Sequence, residues 1–195
     1  MQEERDVSDA RDANFSTLRR WDVLQEKIVY TDRWVKVILA QVRLPNGRLY
    51  TYTTLWRVPG AAVVALNDQD EILLVQEYRH PLGEVIYQLP GGLVDEGESP
   101  LETAQRELRE ETGHEAARWE QLGVVQDNPG LIDGATTLFL ARDLRRVAAP
   151  HPDWTEFQAI GWYSLDWLRA QIRAGRITDR AVLAALAMLC ARTSL

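Results

Sequence analysis

The segment between Gly91 and Gly113 constrains the fold of this chain of 195 residues more than any other part of its sequence. The run Ser-Pro-Leu-Glu at 99–102 is typical of a capping box with proline at the first helical position. Gly113 stands where a helix commonly ends in a left-handed residue. The segment therefore predicts one helix over 100–112, about 20 Å long, with both ends specified by the sequence.

The predicted helix carries acidic side chains beside its apolar face. At about 100° per residue, Glu107 and Glu111 share one side of the helix, and Glu110 adjoins them. The side of the helix that carries these glutamates lies next to the apolar face rather than opposite it. Carboxylates at this spacing repel one another, so a half-buried group of them requires a counter-charge. Two interpretations are open, a solvated acidic surface or an oxygen-ligand site for a divalent metal.

In its spacing, the segment resembles the Nudix box. Its residues meet every fixed position of that box, namely Gly92, Glu98, Arg106, Glu107, Leu108, Glu110, Glu111 and Gly113. Only the last position departs, because His114 stands where the box usually has an aliphatic residue, and this concerns packing rather than a catalytic group. Nudix hydrolases cleave a nucleoside diphosphate linked to another group with Mg²⁺ or Mn²⁺, so the resemblance implies a metal-dependent pyrophosphohydrolase.

The resemblance implies that the acidic helix binds the metal. Glu107 and Glu111 match the main ligand positions, and Glu110 matches a further ligand or a base. The backbone carbonyl of Gly91 falls where the family often supplies another ligand. Metal ions that bridge the oxygens of a diphosphate neutralise its charge and lower the pKa of a bound water, which makes attack on this stable polyanion possible.

The resemblance also implies supporting roles for the other residues of the box. Arg106 matches the catalytic-site arginine that orients the glutamates by ion pairing. Glu98 matches the position that braces the loop or joins the outer metal shell, while Gly92 and Gly113 are structural.

Features outside the box are similar to the ADP-ribose pyrophosphatase branch of the family. They are the run Gln-Glu-Tyr-Arg-His-Pro at 76–81, Pro129, and the run Gly-Arg-Ile-Thr-Asp at 175–179. In that branch an antiparallel N-terminal unit is exchanged across a homodimer. The resemblance therefore implies a homodimer, and a substrate such as ADP-ribose or a similar nucleoside diphosphate sugar, cleaved to a nucleoside monophosphate and a sugar phosphate.

Residues beyond the box are candidates for substrate binding and for catalysis. By resemblance, Arg57 and Trp34 are candidates for the terminal ribose and the nucleobase, on which an aromatic ring can stack. Arg79 can bind a phosphate with two N–H groups, or it is an ordinary arginine at a strand end. Glu156 matches a loop glutamate that acts as base or extra ligand. Asp153 is the alternative, and a glutamate of the box can serve if no loop base exists.

The order of apolar runs and turn signals predicts an α/β (α+β) fold. Residues 1–16 are expected to be a mobile tail, 17–58 a small antiparallel β unit for dimerisation with an Asn-Gly turn, and 59–195 the Nudix hydrolase domain. The resemblance implies an α/β/α sandwich with a mixed sheet. Further strands are predicted at 61–66, 71–78, 85–89, 119–126, 136–141 and 157–163, and two closing helices at 165–174 and 179–192.

Composition argues against several classes of partner. The formal net charge of −7 disfavours binding to nucleic acid or to anionic membranes. The longest apolar stretch, 181–191, is about half of a membrane span. The first residues lack the apolar segment of a signal peptide, so we expect a cytoplasmic protein. Cys190 is the only cysteine, which excludes an internal disulfide and a cysteine-based zinc site.

Two alternative functions stay open at this point. One keeps the Nudix chemistry and changes the substrate to GDP-mannose, NADH, a dinucleoside polyphosphate or a CDP-alcohol. The other is a non-catalytic module that senses nucleotides. Such proteins commonly lose carboxylates of the box, whereas this chain keeps all four of its glutamates.

Overall fold

The computed structural model describes residues 20–151 and 158–192, and the chain divides between Leu55 and Trp56 into two compact units. The strands are β1 (Asp22–Thr31), β2 (Val35–Arg43), β3 (Leu49–Arg57), β4 (Gly60–Ala65), β5 (Ile72–Arg79), β6 (Glu84–Gln88), β7 (Gly91–Leu93), β8 (His114–Gln126), β9 (Ile132–Asp133), β10 (Ala135–Arg146) and β11 (Gln158–Tyr163). The helices are α1 (Pro100–Thr112), α2 (Leu165–Arg173) and α3 (Arg180–Arg192). Among the described residues, no helix has both the length and the apolarity to span a bilayer.

The N-terminal unit is a sheet in which the strands follow the order β1-β2-β3. β1 and β2 pair antiparallel, with two register shifts along the pair. The turn after β2 has Gly47 at φ 84°, and its N–H donates to the carbonyl of Leu44 at 2.8 Å. Glycine takes this left-handed conformation without a steric penalty. The tight turn predicted from Asn-Gly is therefore confirmed.

The central sheet of the second unit is mixed, with strand order β7-β4-β10-β8. β10 runs parallel to β4 and antiparallel to β8, and β7 runs antiparallel to β4. Helix α1 packs against all four strands of this sheet, and α3 packs against β8 and β10. The mixed sheet and the α+β class expected from the sequence are both confirmed.

Alternate residues of β4 supply two separate hydrophobic cores. Val63 packs in the core that contains Leu108 of α1. Val64, its neighbour, packs in the core that contains Leu168 of α2 and Val182 of α3. Because successive side chains of a strand point to opposite faces, helices cover this sheet on both sides. Burial of β4 on both faces is the physical reason why the run at 61–66 is apolar without interruption. The helices on the two sides of the sheet make the fold an α/β/α sandwich.

A second sheet, of order β11-β5-β6, is antiparallel throughout. Its middle strand β5 repeats the alternation of β4, since Leu73 joins the core beneath α1 and Leu74 joins the core beneath α2 and α3. The two sheets therefore share both cores.

Helix α1 begins and ends where the sequence predicts. The hydroxyl of Ser99 accepts a hydrogen bond from the N–H of Glu102 at 3.3 Å, and the carboxylate of Glu102 accepts one from the N–H of Ser99 at 2.7 Å. Gly113 closes the helix at φ 72°, and its N–H donates to the carbonyl of Arg109 at 2.9 Å. These contacts satisfy backbone groups that a helix end otherwise leaves unpaired.

Some strands differ from the prediction, and the short strand β9 is absent from it. β8 begins at His114 rather than at 119, and β10 continues to Arg146 rather than ending at 141, because these segments pair with each other. An ion pair between Arg145 and Glu115 joins them at 2.7 Å. β7 is absent from the prediction, since Gly-Gly-Leu has little strand propensity and forms only through its pairing with β4.

Candidate active site

Strand β7 and helix α1 bring the glycines and the glutamates of the box into contact. The N–H of Gly91 donates to the carboxylate of Glu111 at 2.8 Å. Only 4% of Glu111 is exposed, so this carboxylate is buried against the strand. A buried carboxylate requires polar partners or a counter-ion, because its transfer from water is otherwise costly.

The two glycines of β7 are required by close packing. A Cβ at Gly92 would lie 2.1 Å from Oε1 of Glu107, and a Cβ at Gly91 would lie 2.3 Å from the carbonyl oxygen of Ala61. Gly91 therefore allows β7 to pack closely on the backbone of β4. Gly92 leaves the room that the carboxylate of Glu107 on α1 occupies, and a Cβ there would displace that carboxylate.

Arg106 holds three glutamates of the box. Its Nε and Nη2 donate to the two oxygens of Glu98 at 3.0 and 3.1 Å. Its Nη1 donates to Glu107 at 2.8 Å and to Glu110 at 3.0 Å. The hydrogen bonds to Glu98 are the main cause of a raised pKa for Arg106, opposed by its partial burial. One guanidinium therefore contacts three carboxylates, and the orienting role that the resemblance implies for Arg106 stays a prediction.

Glu98 is fixed from two directions. The hydrogen bonds from Arg106 and the hydroxyl of Thr103, which donates at 2.7 Å, lower the pKa of this carboxyl below its ordinary value. The side chain of Glu98 is 25% exposed. Glu98 therefore braces the turn before α1 as an ionised group.

A second cluster, which we call the arginine cluster, consists of Arg57, Asp127, Thr136 and Arg180. Arg57 and Arg180 both form ion pairs with Asp127, whose side chain is only 4% exposed. The hydroxyl of Thr136 donates to Asp127 at 3.2 Å and accepts from Arg57 at 3.3 Å. The candidate Arg57 is therefore not an isolated surface arginine but part of a buried network.

Arg79, at the end of β5, is held by its own neighbours. It forms an ion pair with Glu77 at 2.8 Å and donates to the side chain of Gln88. Gln88 in turn donates to Asp179, the residue before α3, at 3.2 Å. The side chain of Arg79 is 42% exposed, so the guanidinium keeps an accessible surface while its position is fixed.

The remaining candidates belong to the N-terminal unit or lie outside the described residues. Trp34 belongs to the N-terminal unit, where the guanidinium of Arg33 lies 3.8 Å from its ring centroid. The backbone N–H of Trp34 donates to the carboxylate of Asp32 at 2.8 Å. Glu156 and Asp153 lie outside the described residues.

Sequence reasoning missed Arg180. A signal for Arg180 does exist. It stands in the first turn of α3, where a cation is unfavourable because the N-terminal end of a helix carries partial positive charge. An arginine at such a position requires a local anion, which Asp127 supplies.

Comparison with known proteins decides the family. Residues 56–186 match the NUDIX domain. The chain belongs to the Nudix family. Residues 21–55 match the nucleoside diphosphate sugar hydrolase N-terminal domain. The chain is accordingly a Nudix pyrophosphohydrolase.

Curated Nudix relatives and one solved structure are similar over most of the chain. An ADP-ribose pyrophosphatase of Mycobacterium tuberculosis is 35% identical, covering 79% of this chain and 75% of that protein. A CMP-5'-(N-acetyl-N-hydroxy-3-aminopropyl)phosphonate hydrolase of Streptomyces rubellomurinus is 34% identical, covering 87% and 82%. The crystal structure of an ADP compounds hydrolase matches with a TM-score of 0.76 and 22% identity, covering 88% of this chain and 92% of that one, and thus shares the fold.

Nudix hydrolases generally need divalent metal ions, and the donor types of this site fit such an ion. The box supplies four glutamates, at 98, 107, 110 and 111, as oxygen donors. Oxygen ligands of this kind suit hard cations. Among residues 20–151 and 158–192, no three acidic, histidine or cysteine side chains are already gathered as a metal-binding group. Arg106 contacts three of the four glutamates instead.

Proposed function

We propose that this Nudix enzyme hydrolyses the pyrophosphate of ADP-ribose or of a similar nucleoside diphosphate sugar, giving a nucleoside monophosphate and a sugar phosphate. The observation that carries the proposal is the buried carboxylate of Glu111, which accepts a hydrogen bond from the backbone N–H of Gly91. On the same helix, Arg106 forms ion pairs with Glu107 and Glu110. The named activity of the relative from Mycobacterium tuberculosis supports the choice of substrate.

In the proposed reaction, water attacks one phosphorus, the bond from that phosphorus to the bridging oxygen breaks, and two phosphomonoesters leave. Glu107, Glu110, Glu111 and the carbonyl of Gly91 would hold Mg²⁺ or Mn²⁺, which supplies charge neutralisation and activation of water. Arg106 keeps Glu107 and Glu110 in place, and it must share them with the ion.

The proton of the attacking water requires a carboxylate as acceptor. Glu156 is our candidate for this base, with a glutamate of the box as the alternative. We assign Arg57 and Arg79 to the substrate because each is a positioned guanidinium that can contact phosphate or ribose oxygens. Trp34 is the candidate for the nucleobase.

Further proposals concern the whole protein. Residues 17–58 would form a homodimer, and residues 59–195 would carry the hydrolase activity. The cytoplasmic location, and the absence of nucleic-acid and membrane partners, stay predictions based on charge and composition.

A second substrate class has specific support. The relative from Streptomyces rubellomurinus is named for hydrolysis of a CMP-linked phosphonate, and it matches a larger part of this chain. An assay should therefore vary the nucleobase of the substrate and the group attached at the far end of its diphosphate. The sensing alternative is weaker, because the glutamates of the box are all present.

A substrate panel tests the proposal. ADP-ribose, GDP-mannose, NADH, a dinucleoside polyphosphate and CDP-alcohols are each incubated with enzyme and Mg²⁺, Mn²⁺ or a chelator, and phosphate is measured after phosphatase coupling. We expect ADP-ribose to give the highest kcat/KM and the chelator to abolish turnover. Preference for another nucleotide would reject the substrate, and metal-independent turnover would reject the mechanism.

The variant Glu111→Gln tests the metal assignment within the same assay. It removes the charge of a buried ligand without changing its shape, so we expect kcat to fall by at least about a hundredfold. Circular dichroism checks that the fold is retained. Glu120→Gln, at an exposed residue of β8, is the matched control and should keep the wild-type rate. Equal rates in both variants would contradict the assignment.

A further inference from the structure

The arginine cluster has more positive charge than its partners balance. Arg57 and Arg180 contribute two cations, and among residues 20–151 and 158–192 Asp127 contributes the carboxylate that contacts both of them. Arginine stays protonated at any pH that a protein tolerates. Thr136 is neutral and contacts Asp127 and both guanidinium groups. The cluster therefore keeps one net positive charge at a partly buried position.

One nitrogen of this cluster is unsatisfied. Nη1 of Arg180 is buried, and no described residue accepts a hydrogen bond from it. The Arg180 side chain as a whole is 40% exposed, so rotation of the guanidinium can bring an N–H group to the surface while Asp127 keeps another. Buried polar groups in folded proteins are normally paired, so an orphan donor on a cation points to an anionic acceptor that arrives from outside.

The helix that carries Arg180 does not explain its position. The N-terminal turn of α3 is already capped, because Asp179 accepts hydrogen bonds from the N–H groups of Ala181 and Val182, each at 3.0 Å. A cation in this turn opposes the helix dipole. The arginine is thus unfavourable for the helix itself, and its contacts lie with the cluster.

The arginine cluster adjoins the glycines of the candidate active site. A Cβ placed on Gly60 would lie 3.3 Å from the carbonyl oxygen of Gly92 and 3.3 Å from the hydroxyl of Thr136. The same point is 3.4 Å from Nη2 of Arg57. The arginine cluster and the carbonyl of Gly92 on β7 therefore both border the space that the missing side chain of Gly60 leaves open.

We propose that Arg180 is a further substrate-binding residue of this enzyme, donating to an anionic phosphate oxygen of the bound diphosphate. Asp127 is the shared brace that orients Arg57 and Arg180 together. A diphosphate would then be held between carboxylates with their metal on one side of Gly60 and two guanidinium groups on the other. This inference rests on the proposed function for the presence of a diphosphate substrate.

The test compares wild type with Arg180→Gln, Arg180→Lys and the control Arg169→Gln. Arg169 is a helical arginine that also pairs with an aspartate, Asp166 at 3.0 Å, but lies on α2 outside the arginine cluster. Each variant is assayed for kcat and KM with ADP-ribose. Binding of ADP-ribose, of inorganic pyrophosphate and of adenosine is measured by calorimetry in the presence of a chelator.

We expect Arg180→Gln to raise KM by about tenfold or more, as loss of a charge-assisted hydrogen bond predicts, with kcat changed by less than about threefold. Binding of ADP-ribose and pyrophosphate should weaken together, while any binding of the uncharged adenosine stays unchanged. Arg180→Lys, which keeps the charge, should recover part of the loss, a result that a merely structural role would not produce.

Other outcomes separate this inference from the proposed function. If wild type hydrolyses ADP-ribose and Arg180→Gln has the same KM and the same affinities, only the inference is wrong. Equal losses in Arg180→Gln and Arg169→Gln would likewise overturn it. If wild type does not use ADP-ribose, the proposed substrate is wrong, and the pyrophosphate affinities of the same variants still decide the role of Arg180.

Discussion

At the scale of single residues, Arg106 shows how one side chain can make an acidic surface stable. It donates to Glu98, Glu107 and Glu110, and it lies 3.6 Å from Asp95. Without such a cation, carboxylates spaced along one helix would repel one another and weaken the helix. The guanidinium of Arg106 therefore allows three carboxylates of the box to lie close together.

Glu98 gives a prediction about pH. Because its pKa is lowered in the folded protein, chiefly by hydrogen bonds from Arg106, Glu98 stabilises the fold above the ordinary carboxyl value. This stabilisation is lost as the pH falls from that value through the lowered pKa. We expect Glu98→Gln to cost about 1 kcal/mol at pH 7 and progressively less in acid, as measured by urea unfolding from pH 7 to pH 3.

The control for this experiment is Glu96→Gln, at an exposed residue of the same turn. It should follow wild type across the whole pH range. A difference between wild type and Glu98→Gln that stays constant down to pH 3 would contradict the linkage of stability to this carboxyl.

The residues of the box were predictable from the sequence because their spacing along one helix fixes their relation to one another. Arg180 and Asp127 were not, because their contact joins the start of α3 to the end of β8. Local periodicity contains no information on such a pair. Only the misfit of a cation with the helix dipole at Arg180 could have indicated that a partner exists.

At the scale of elements, α1 has the bounds that the sequence predicts because its signals are local. The capping box, the proline and Gly113 act within the helix or next to it. β8 and β10 were predicted too short for the opposite reason. Their outer halves have no alternating pattern and are held by cross-strand pairs, such as Glu115 with Arg145.

Loss of the N-cap should weaken α1 without removing its catalytic groups. Ser99→Ala deletes the hydroxyl that accepts from Glu102, and we expect it to lower the free energy of unfolding by about 1 kcal/mol. Urea denaturation measures this as a lower midpoint at unchanged slope. Ser99→Thr keeps the hydroxyl and should recover most of the loss. An unchanged midpoint for Ser99→Ala would show that the capping box contributes nothing.

At the scale of the whole molecule, the cores on the two faces of the central sheet depend on the same strands. Val63 and Val64 are neighbours in β4, yet they pack beneath different helices. The resemblance to the Nudix family implied the sandwich, and the unbroken apolar run at 61–66 is typical of a strand buried on both faces. The sequence could not show which helix covers which face, since that depends on the order of strands in the sheet.

The homodimer predicted to form through the N-terminal unit can be tested by placing one charged side chain on β1. In the single chain, β1 is exposed along its whole length, and Ile28 is 53% exposed. Exposed apolar side chains in a row are typical of an interface. We expect wild type to sediment as a dimer and Ile28→Glu to sediment as a folded monomer.

Val85→Glu supplies the control for the assembly experiment. Val85 is 62% exposed on β6, in the other unit, so a charge there should leave the mass of the assembly unchanged. A monomeric wild type at micromolar concentration, or a dimeric Ile28→Glu, would refute the assignment of the interface.

Gly60 leaves open a space that a side chain at this position would occupy. A Cβ there would lie 3.3 Å from the carbonyl oxygen of Gly92 and 3.3 Å from the hydroxyl of Thr136, so both groups border this space. If phosphate groups of the substrate occupy the space as proposed, the main chain of β4 and β7 forms part of its wall and limits the length of the phosphate bridge that fits. Selection for the length of the phosphate bridge would then not depend on the nucleobase or the sugar. Selectivity for those two groups would have to arise from contacts at the two ends of the ligand.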